Sequence, residues 1–273
     1  MCPSPGLLVS EGSFGYYSVS RLKNNHVQSV EDCVAEEVPV AMIYNGISHA
    51  VMLASPDDLE DFILGFSLSE GIINEPRELF GVEIAIRANG IEVHAEISSE
   101  RFLQLKDRRR SMAGRTGCGL CGTESLEHAL RLPEYVAEAQ FEFNEESIHK
   151  ALLEIKNLQT LQKLTGATHA SAWVDKEGAI KVLKEDVGRH NALDKLIGAI
   201  ARMDSRGTGF VITTSRASYE MVQKVIVAGI PMLVAISAPT GLAIRIARLY
   251  GIILIGFARA DQFVIYSGED RVL

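Results

Sequence analysis

The fold is decided by residues 209–257, GFVITTSRASYEMVQKVIVAGIPMLVAISAPTGLAIRIARLYGIILIGF. Apolar runs predict three strands here, at Gly209 to Thr213, Pro231 to Ile236 and Ile252 to Phe257. The segments between these strands have the periodicity of helices. Strands that alternate with helices of about ten residues form right-handed crossovers, so the three strands should lie parallel with helices packed on the sheet.

Further elements surround this stretch. A long helix is predicted from Asn144 to Gly166, a hairpin from Ala170 to Leu183, a helix from about Asn191 to Met203, and a last strand from Phe263 to Tyr266. We therefore expect residues 141–273 to form an α/β domain with a mostly parallel sheet.

The N-terminal half has a different pattern. Two hairpins are predicted to turn at Asn45-Gly46 and Asn89-Gly90, on either side of a helix that Ser55 caps. These elements predict an α+β domain at residues 17–140, preceded by a flexible tail at residues 1–16.

Composition narrows the class of function. The chain has 273 residues, four cysteines and a formal net charge of −8, and such a charge argues against general nucleic-acid binding. No apolar stretch approaches the ~18 residues of a membrane span, and residues 1–17 lack the basic start and apolar core of a signal peptide. Since the cysteines show no disulfide framework, we expect a cytoplasmic protein in a reducing compartment.

Two cysteines lie close together in a glycine-rich loop, Cys118-Gly119-Leu120-Cys121-Gly122. Positive charge lowers a thiol's pKa from about 8.5 and favours the nucleophilic thiolate, and glycines let such a loop reach more than one partner. The loop follows a run of basic residues, which includes Lys106, Arg108, Arg109, Arg110 and Arg115. This setting favours covalent sulfur chemistry and a mobile loop.

Two other interpretations of the cysteine pair stay open. It is half of a zinc site if Cys33, His94 or His128 supplies further ligands, although a second CxxC is absent. It is a thioredoxin-like exchange motif if it lies at a strand-to-helix turn, although a long basic loop holds it here.

Polar residues follow each of the three strands of residues 209–257. The carboxyl edge of an open α/β sheet is where ligands bind, and helix N-termini there offer amide groups to phosphates. Arg216 and Arg259 suit bidentate phosphate contacts. The alternative is that Ser215, Ser218 and Thr240 only cap helices. The segments are Thr213-Thr214-Ser215-Arg216, Ser237-Ala238-Pro239-Thr240 and Phe257-Ala258-Arg259-Ala260-Asp261.

A further polar cluster, EDVGRHNALDK, covers residues 185–195 before a predicted helix. His190 and Asn191 can bind an anion or cap that helix, and His190 can act as a general base. His169, at the start of the predicted hairpin, is expected to be structural.

Five motifs carry a family resemblance that extends from about residue 15 to the end of the chain. They are CGLCG at 118–122, EDVGRHNALDK at 185–195, TSRASYEMVQK at 214–224, SAPT at 237–240 and GFAR at 256–259. Together they resemble the formate dehydrogenase accessory sulfurtransferase (FdhD) family.

The resemblance implies a sulfur carrier. Cys118 would take sulfur from a cysteine desulfurase as a persulfide, with Cys121 assisting, and pass it to a molybdenum bis(molybdopterin guanine dinucleotide) cofactor used by formate dehydrogenase. The implied cofactor-binding segment is Phe257, Ala258, Arg259, Ala260, Asp261 and Gln262. The strand-end pattern adds Ser215, Arg216, Ser237, Thr240, His190 and Asn191 as candidate contacts. A chaperone that binds the cofactor without covalent chemistry is the alternative, and a homodimer is expected.

The resemblance also implies a cytidine-deaminase-like three-layer fold for residues 141–273. Zinc-dependent deamination is not expected, because His169-Ala170-Ser171 has no carboxylate where deaminases have HxE, and no PCxxC follows. No bound zinc is expected, because neither this position nor the cysteine pair at 118–121 has the further ligands that a zinc site needs in a recognisable motif.

Overall fold

The computed structural model describes residues 12–110, 142–204 and 207–273. Its first element is a two-stranded ribbon of β1 (Phe14–Lys23) and β2 (His26–Ala35), which pair antiparallel along their whole length. Asn24 and Asn25 turn the chain with positive φ angles, as a two-residue hairpin requires. Apolar alternation does not predict this ribbon because both of its faces are largely exposed. β1 also begins inside residues 1–16, where a flexible tail is predicted.

A four-stranded sheet organises the rest of the N-terminal half. Its strands are β3 (Val38–Tyr44), β4 (Ile47–Ala54), β5 (Leu79–Arg87) and β6 (Gly90–Ile97). They lie in the order β4-β3-β6-β5. Both predicted hairpins are confirmed, although the second turns at Ala88-Asn89, one residue before the predicted turn. Helix α1 (Leu59–Ser69) packs on one face of this sheet. A short 3-10 helix (Pro76–Glu78) precedes β5, and helix α2 (Ser99–Arg110) follows β6.

The C-terminal half is built on a six-stranded sheet. Its strands are β7 (His169–Asp175), β8 (Ile180–Asp186), β9 (Gly209–Thr213), β10 (Met232–Ala235), β11 (Ile253–Gly256) and β12 (Val264–Ser267). They lie in the order β12-β11-β10-β9-β7-β8. The helices between them are α5 (Arg189–Ala201), α6 (Tyr219–Val227) and α7 (Gly241–Leu249), and a 3-10 helix (Glu269–Arg271) follows β12.

The six-stranded sheet is mixed, whereas the sequence predicts a mostly parallel one. β9, β10 and β11 pair parallel through the predicted crossovers. β7 pairs antiparallel with β8 and with β9, and β12 pairs antiparallel with β11. The connections at residues 176–179 and 257–263 cause this difference, because they are shorter than the crossover that parallel neighbours need.

One long helix is predicted after Asn144, but the chain forms two, α3 (Glu145–Leu158) and α4 (Thr160–Thr165). The helix is interrupted at Gln159, where ψ is 86°. The Glu185 carboxylate accepts N–H groups in the first turn of α4 at 2.8 and 2.9 Å. A contact from a distant strand therefore begins the second helix.

Helices cover both faces of the six-stranded sheet, which gives three layers. α3 packs on one face, where Ile148 and Ile155 contact a cluster that includes Phe210. α5, α6 and α7 pack on the other face around Trp173. Residues 210–212 are fully buried, as predicted for strands covered on both faces.

The two halves of the chain meet where α1 crosses α5. Gly65 lies against the backbone of Asp194, and Gly198 lies against the backbone of Asp61. A Cβ atom on Gly65 would be 1.7 Å from the Asp194 carbonyl oxygen, and one on Gly198 would be 1.9 Å from the Asp61 carbonyl oxygen. Glycine is thus required at both positions, since any side chain would push the helices apart.

Gly65→Ala should destabilise the protein by about 3 kcal/mol or more, because the added methyl group overlaps backbone that cannot rotate away. The matched control is Gly241→Ala in α7, where the nearest atom to a Cβ is an arginine side-chain nitrogen 3.6 Å away. Alanine favours helices, so this control should be neutral or stabilising. Urea unfolding measures both, and equal effects would contradict the tight crossing.

Candidate functional site

The carboxyl ends of β8, β9, β10 and β11 lie at one edge of the six-stranded sheet, because these four strands run in the same direction. Helices α5, α6 and α7 begin at this edge. The sheet topology therefore brings the polar segments that follow these strands together, as the pattern predicts.

Hydrogen bonds continue from strand to strand beyond the ends of the sheet. The Ser237 N–H donates to the Ser215 carbonyl at 3.3 Å, and the Phe257 N–H donates to the Ser237 carbonyl at 3.1 Å. Farther out, the Thr240 N–H donates to the Ala217 carbonyl at 3.0 Å. The three segments thus form one continuous rim, which we call the strand-end rim (residues 213–217, 237–240 and 257–262).

Two predicted contact residues of this rim make hydrogen bonds within the protein. Ser215 is buried, and its hydroxyl donates to the Arg216 carbonyl at 3.0 Å. The Thr240 hydroxyl accepts the Ala243 N–H at 3.3 Å and caps α7. The capping alternative therefore describes Thr240. Arg216, in contrast, is exposed, and its guanidinium has no hydrogen bond or ion pair with the described residues.

The segment at residues 257–262 forms a tight turn. Phe257 has a φ of 49° and is 47% exposed, whereas Ala258 is buried. The Arg259 N–H donates to the Gln262 carbonyl at 2.8 Å. Arg259 Nη1 donates to the Ile236 and Ala258 carbonyls at 2.5 and 2.8 Å, so part of this guanidinium holds the turn. Ala260 and Asp261 are exposed.

The cluster at residues 185–195 mainly joins the two halves of the chain. Asn191 is buried, and its Nδ2 donates to the Leu53 carbonyl at 2.8 Å and to Asp186 Oδ1 at 2.9 Å. Both N–H donors of its amide group are therefore used at this junction. The sequence pattern cannot show this because Leu53 lies 138 residues away.

Asp186 and Lys195 form a fully buried ion pair at the same junction, with Nζ 2.6 Å from Oδ2. Lys195 Nζ also donates to the Ser55 carbonyl at 2.9 Å, and the Ser55 N–H donates to Asp186 Oδ2 at 3.0 Å. Ser55 is predicted to cap α1, but Asp58 is at that N-cap position. Ser55 instead holds the turn between β8 and α5.

A second buried cluster lies beside the helix crossing. Lys224 Nζ contacts both carboxylate oxygens of Asp194, at 2.9 and 3.0 Å, and the Ser69 hydroxyl at 2.9 Å. Burial lowers the pKa of Lys224, but the Asp194 and Glu70 carboxylates outweigh it and hold that pKa above its ordinary value. Lys224 is therefore a charged structural residue.

His190 lies at the start of α5, with Nε2 2.7 Å from Glu220 Oε2 in the first turn of α6. This contact lowers the pKa of Glu220. Burial lowers the pKa of His169, and the charges of Arg189 and His190 lower it further. Three basic side chains and one carboxylate thus share the corner where β7, α5 and α6 begin and β8 ends.

Three polar residues of this corner are absent from the predicted contacts. The Ser171 and Ser218 hydroxyls and Arg189 Nε are buried and have no hydrogen-bond partner. Ser218 occupies the N-cap position of α6 without a side-chain capping bond. Arg189 belongs to the motif at residues 185–195, so the sequence does signal it, whereas a serine inside a strand gives no signal.

The reactive cysteines predicted from the sequence, Cys118 and Cys121, lie outside the described residues. Among the residues that the structure describes, no group of three or more His, Cys, Asp or Glu side chains could hold a metal ion. Cys33, a candidate zinc ligand, is a free thiol on β2. His94, another candidate, pairs with Glu92 at 3.1 Å.

The chain matches a family model described as "FdhD/NarQ family" over residues 35–273. The chain belongs to this family. It is 53% identical over 257 residues to the "Sulfur carrier protein FdhD" of Cupriavidus necator, a match that covers 94% of this chain and 89% of that protein. It is 47% identical over 273 residues to the protein of the same name from Xanthomonas campestris pv. campestris, covering 100% and 96% of the two chains.

The fold is also found in a crystal structure from Desulfotalea psychrophila, described as a candidate formate dehydrogenase accessory protein. The TM-score is 0.74 at 23% identity, and the match covers 95% of this chain and 99% of that chain. This likeness establishes the fold of the FdhD/NarQ chain. Within the three described ranges, no helix is both long and apolar enough to cross a membrane.

Lys195→Met should cost about 3–5 kcal/mol of unfolding free energy, because it leaves the Asp186 carboxylate buried without its counter-charge. Lys181→Met is the matched control, since Lys181 pairs with Asp175 at 2.8 Å but is half exposed, and such a pair contributes about 1 kcal/mol or less. Denaturant unfolding compares the two variants. A cost for Lys195→Met no larger than the control would contradict the structural role of the buried pair.

Proposed function

We propose that this protein is a sulfur carrier that accepts sulfur on Cys118 as a persulfide and transfers it to a molybdenum cofactor for formate dehydrogenase. The observation that carries the proposal is the 53% identity, over 94% of the chain, to a protein named as a sulfur carrier. The pair Cys118 and Cys121 supports it, because sulfur transfer needs a nucleophilic thiol and the basic run before this pair favours the thiolate.

Sulfur loading on this proposal is a thiol exchange. The Cys118 thiolate attacks the outer sulfur of the persulfide on a cysteine desulfurase. A new S–S bond forms at Cys118, the old S–S bond breaks, and the desulfurase cysteine leaves as a thiolate, so no further oxidant is needed. In the second step the acceptor supplies the electron pair of the new bond to sulfur, and Cys118 leaves as a thiolate. Cys121 is proposed to assist the sulfur transfer at Cys118.

The acceptor is proposed to be the bis(molybdopterin guanine dinucleotide) form of the cofactor, bound at the strand-end rim. The exposed Arg216 guanidinium supports this, because it has no partner among the described residues and suits a phosphate. The exposed part of residues 257–262 supports it as well. Ser237 and Thr240 remain proposed contacts, since Thr240 is exposed and its hydroxyl can still donate while it caps α7. The Asn191 amide makes its hydrogen bonds within the junction.

The proposal also covers the partners of the protein, its compartment, its oligomeric state and the fold of its C-terminal half. A cysteine desulfurase supplies sulfur, formate dehydrogenase receives the cofactor, and the protein works in the cytoplasm as a homodimer. The C-terminal half is proposed to be cytidine-deaminase-like, which its three layers support.

A cofactor chaperone without covalent chemistry is the second candidate. It is favoured by the position of the strand-end rim, which is built wholly from residues outside the cysteine loop. The two candidates differ in whether the cysteines are needed. Activation of formate dehydrogenase by the double variant Cys118→Ala, Cys121→Ala would favour the chaperone.

Cys118→Ala should abolish sulfur loading. Wild-type protein incubated with a desulfurase and cysteine should gain one sulfur, about 32 Da by intact-protein mass spectrometry, and the variant should gain none. Cys33→Ala is the control because Cys33 lies on β2, in the ribbon, and it should load as wild type does. Loading of the Cys118→Ala variant at the wild-type rate would contradict the proposal.

A further inference from the structure

We infer that the corner between β7, α5 and α6 is a separate recess that binds a phosphate or diphosphate group through Arg189, Ser171 and Ser218. We call it the α5–α6 recess. The inference deepens the proposed function, on which it rests for the nucleotide nature of the ligand. It places the diphosphate apart from residues 257–262, the segment that the family resemblance implies.

Strand register places these residues in one corner. Ser171 of β7 pairs with Thr213 at the end of β9, and the Thr213 and Ser215 hydroxyls are 3.1 Å apart. Ser171 lies on the same face of the sheet as Trp173, which packs against α5 and α6. Its hydroxyl is therefore directed to the side where α6 begins, at Ser218.

The start of α5 reaches the same corner. His190 contacts Glu220, in the first turn of α6, at 2.7 Å. Arg189 is adjacent to His190, and its charge acts on both His169 and Glu220. The two helices thus begin side by side.

Unpaired polar atoms are concentrated in this corner. Ser171 is fully buried, yet its hydroxyl has no hydrogen-bond partner. The Ser218 hydroxyl and Arg189 Nε are likewise buried without a partner. A buried donor without a partner costs about 1–3 kcal/mol, and most buried polar groups in proteins are paired. A ligand that accepts several hydrogen bonds removes this cost at all three residues.

The helix N-termini add to the attraction for an anion. The N-cap residue of α5 is Gly188, which has no side chain, and Ser218 at the N-cap of α6 accepts no hydrogen bond from its helix. By contrast, Thr240 caps α7 at the neighbouring position along the rim. The first N–H groups of α5 and α6 therefore lack a side-chain cap, as at helix N-termini that bind phosphate.

The charges of the corner favour an anion. Arg189 supplies a permanent positive charge, and Glu220 is the carboxylate that faces it. His190 Nε2 lies 2.7 Å from this carboxylate and occupies one of its oxygens. A guanidinium with unused donors suits the oxygens of a phosphate better than a single ammonium does.

The α5–α6 recess is separate from residues 257–262. It lies at the end of β9, whereas that segment follows β11, and β10 lies between these strands. Two strand spacings amount to roughly 10 Å. A dinucleotide ligand is long enough to contact both places, with its diphosphate in the recess.

Isothermal titration calorimetry of the full chain with inorganic pyrophosphate, and separately with guanosine diphosphate, tests the inference. Arg189→Gln should weaken pyrophosphate binding by about 10-fold to 100-fold, the range expected for a charged hydrogen bond. Arg202→Gln, at the other end of α5, is the control and should bind as wild type does. Arg259→Gln should weaken pyrophosphate binding much less than Arg189→Gln.

Ser171→Ala gives a second test, which distinguishes a ligand contact from a purely structural role of the Ser171 hydroxyl. Removal of an unpaired buried hydroxyl should leave the thermal unfolding midpoint unchanged or raise it. Pyrophosphate affinity should nevertheless fall about threefold or more, since the ligand loses a hydrogen bond. Opposite effects on stability and binding support a ligand contact.

The inference is overturned if wild-type protein does not bind pyrophosphate, or if Arg189→Gln and Ser171→Ala leave its affinity unchanged. It is also overturned if Arg259→Gln abolishes pyrophosphate binding while Arg189→Gln does not. Sulfur loading of Cys118, measured by mass on the same variants, reports on the proposed function separately. Normal loading with unchanged pyrophosphate affinity would reject the recess alone.

Discussion

The close crossing of α1 and α5 is the constraint on which the rest of the structure depends. Gly65 and Gly198 allow the two backbones to touch, and this contact brings the N-terminal sheet against the helices of the C-terminal sheet. The buried pairs of Asp186 with Lys195 and of Asp194 with Lys224 both lie at this junction. Each needs hydrogen bonds from the other half of the chain to offset the cost of burying charge. The turn that carries Arg189 and His190 is held in place by the same contacts.

The sequence predicts most elements whose signals are local. The strands and helices of residues 209–257 and the hairpins β3–β4 and β5–β6 are confirmed, because the apolar period and turn chemistry act over a few residues. Tertiary contacts decide the exceptions. The apolar periodicity after Asn144 is continuous, but the Glu185 carboxylate accepts N–H groups from the first turn of a second helix, α4. The short connections β7–β8 and β11–β12 make the six-stranded sheet mixed. Both faces of the β1–β2 ribbon are largely exposed, so its sequence lacks the alternation of apolar and polar residues that predicts a strand.

The candidate site shows the same division between local and distant causes. The topology of residues 209–257 predicts that polar segments meet at one edge, and they do. The pattern cannot tell which polar groups remain available, because that depends on partners far along the chain. Thr240 is used by its own helix and Asn191 by Leu53, while Arg216 and Arg189 keep unused donors. Satisfied and unsatisfied side chains look alike in a sequence.

The contact between Ser55 and Lys195 has a consequence for synthesis of the chain. The Ser55 carbonyl accepts from an ammonium group that is translated 140 residues later. At roughly 5–20 residues per second, the N-terminal sheet waits on the order of ten seconds for this partner. During that interval the Gly65 face of α1 is uncovered, since α5 has not yet been made. The junction therefore leaves the N-terminal half without its packing partner until α5 has been translated.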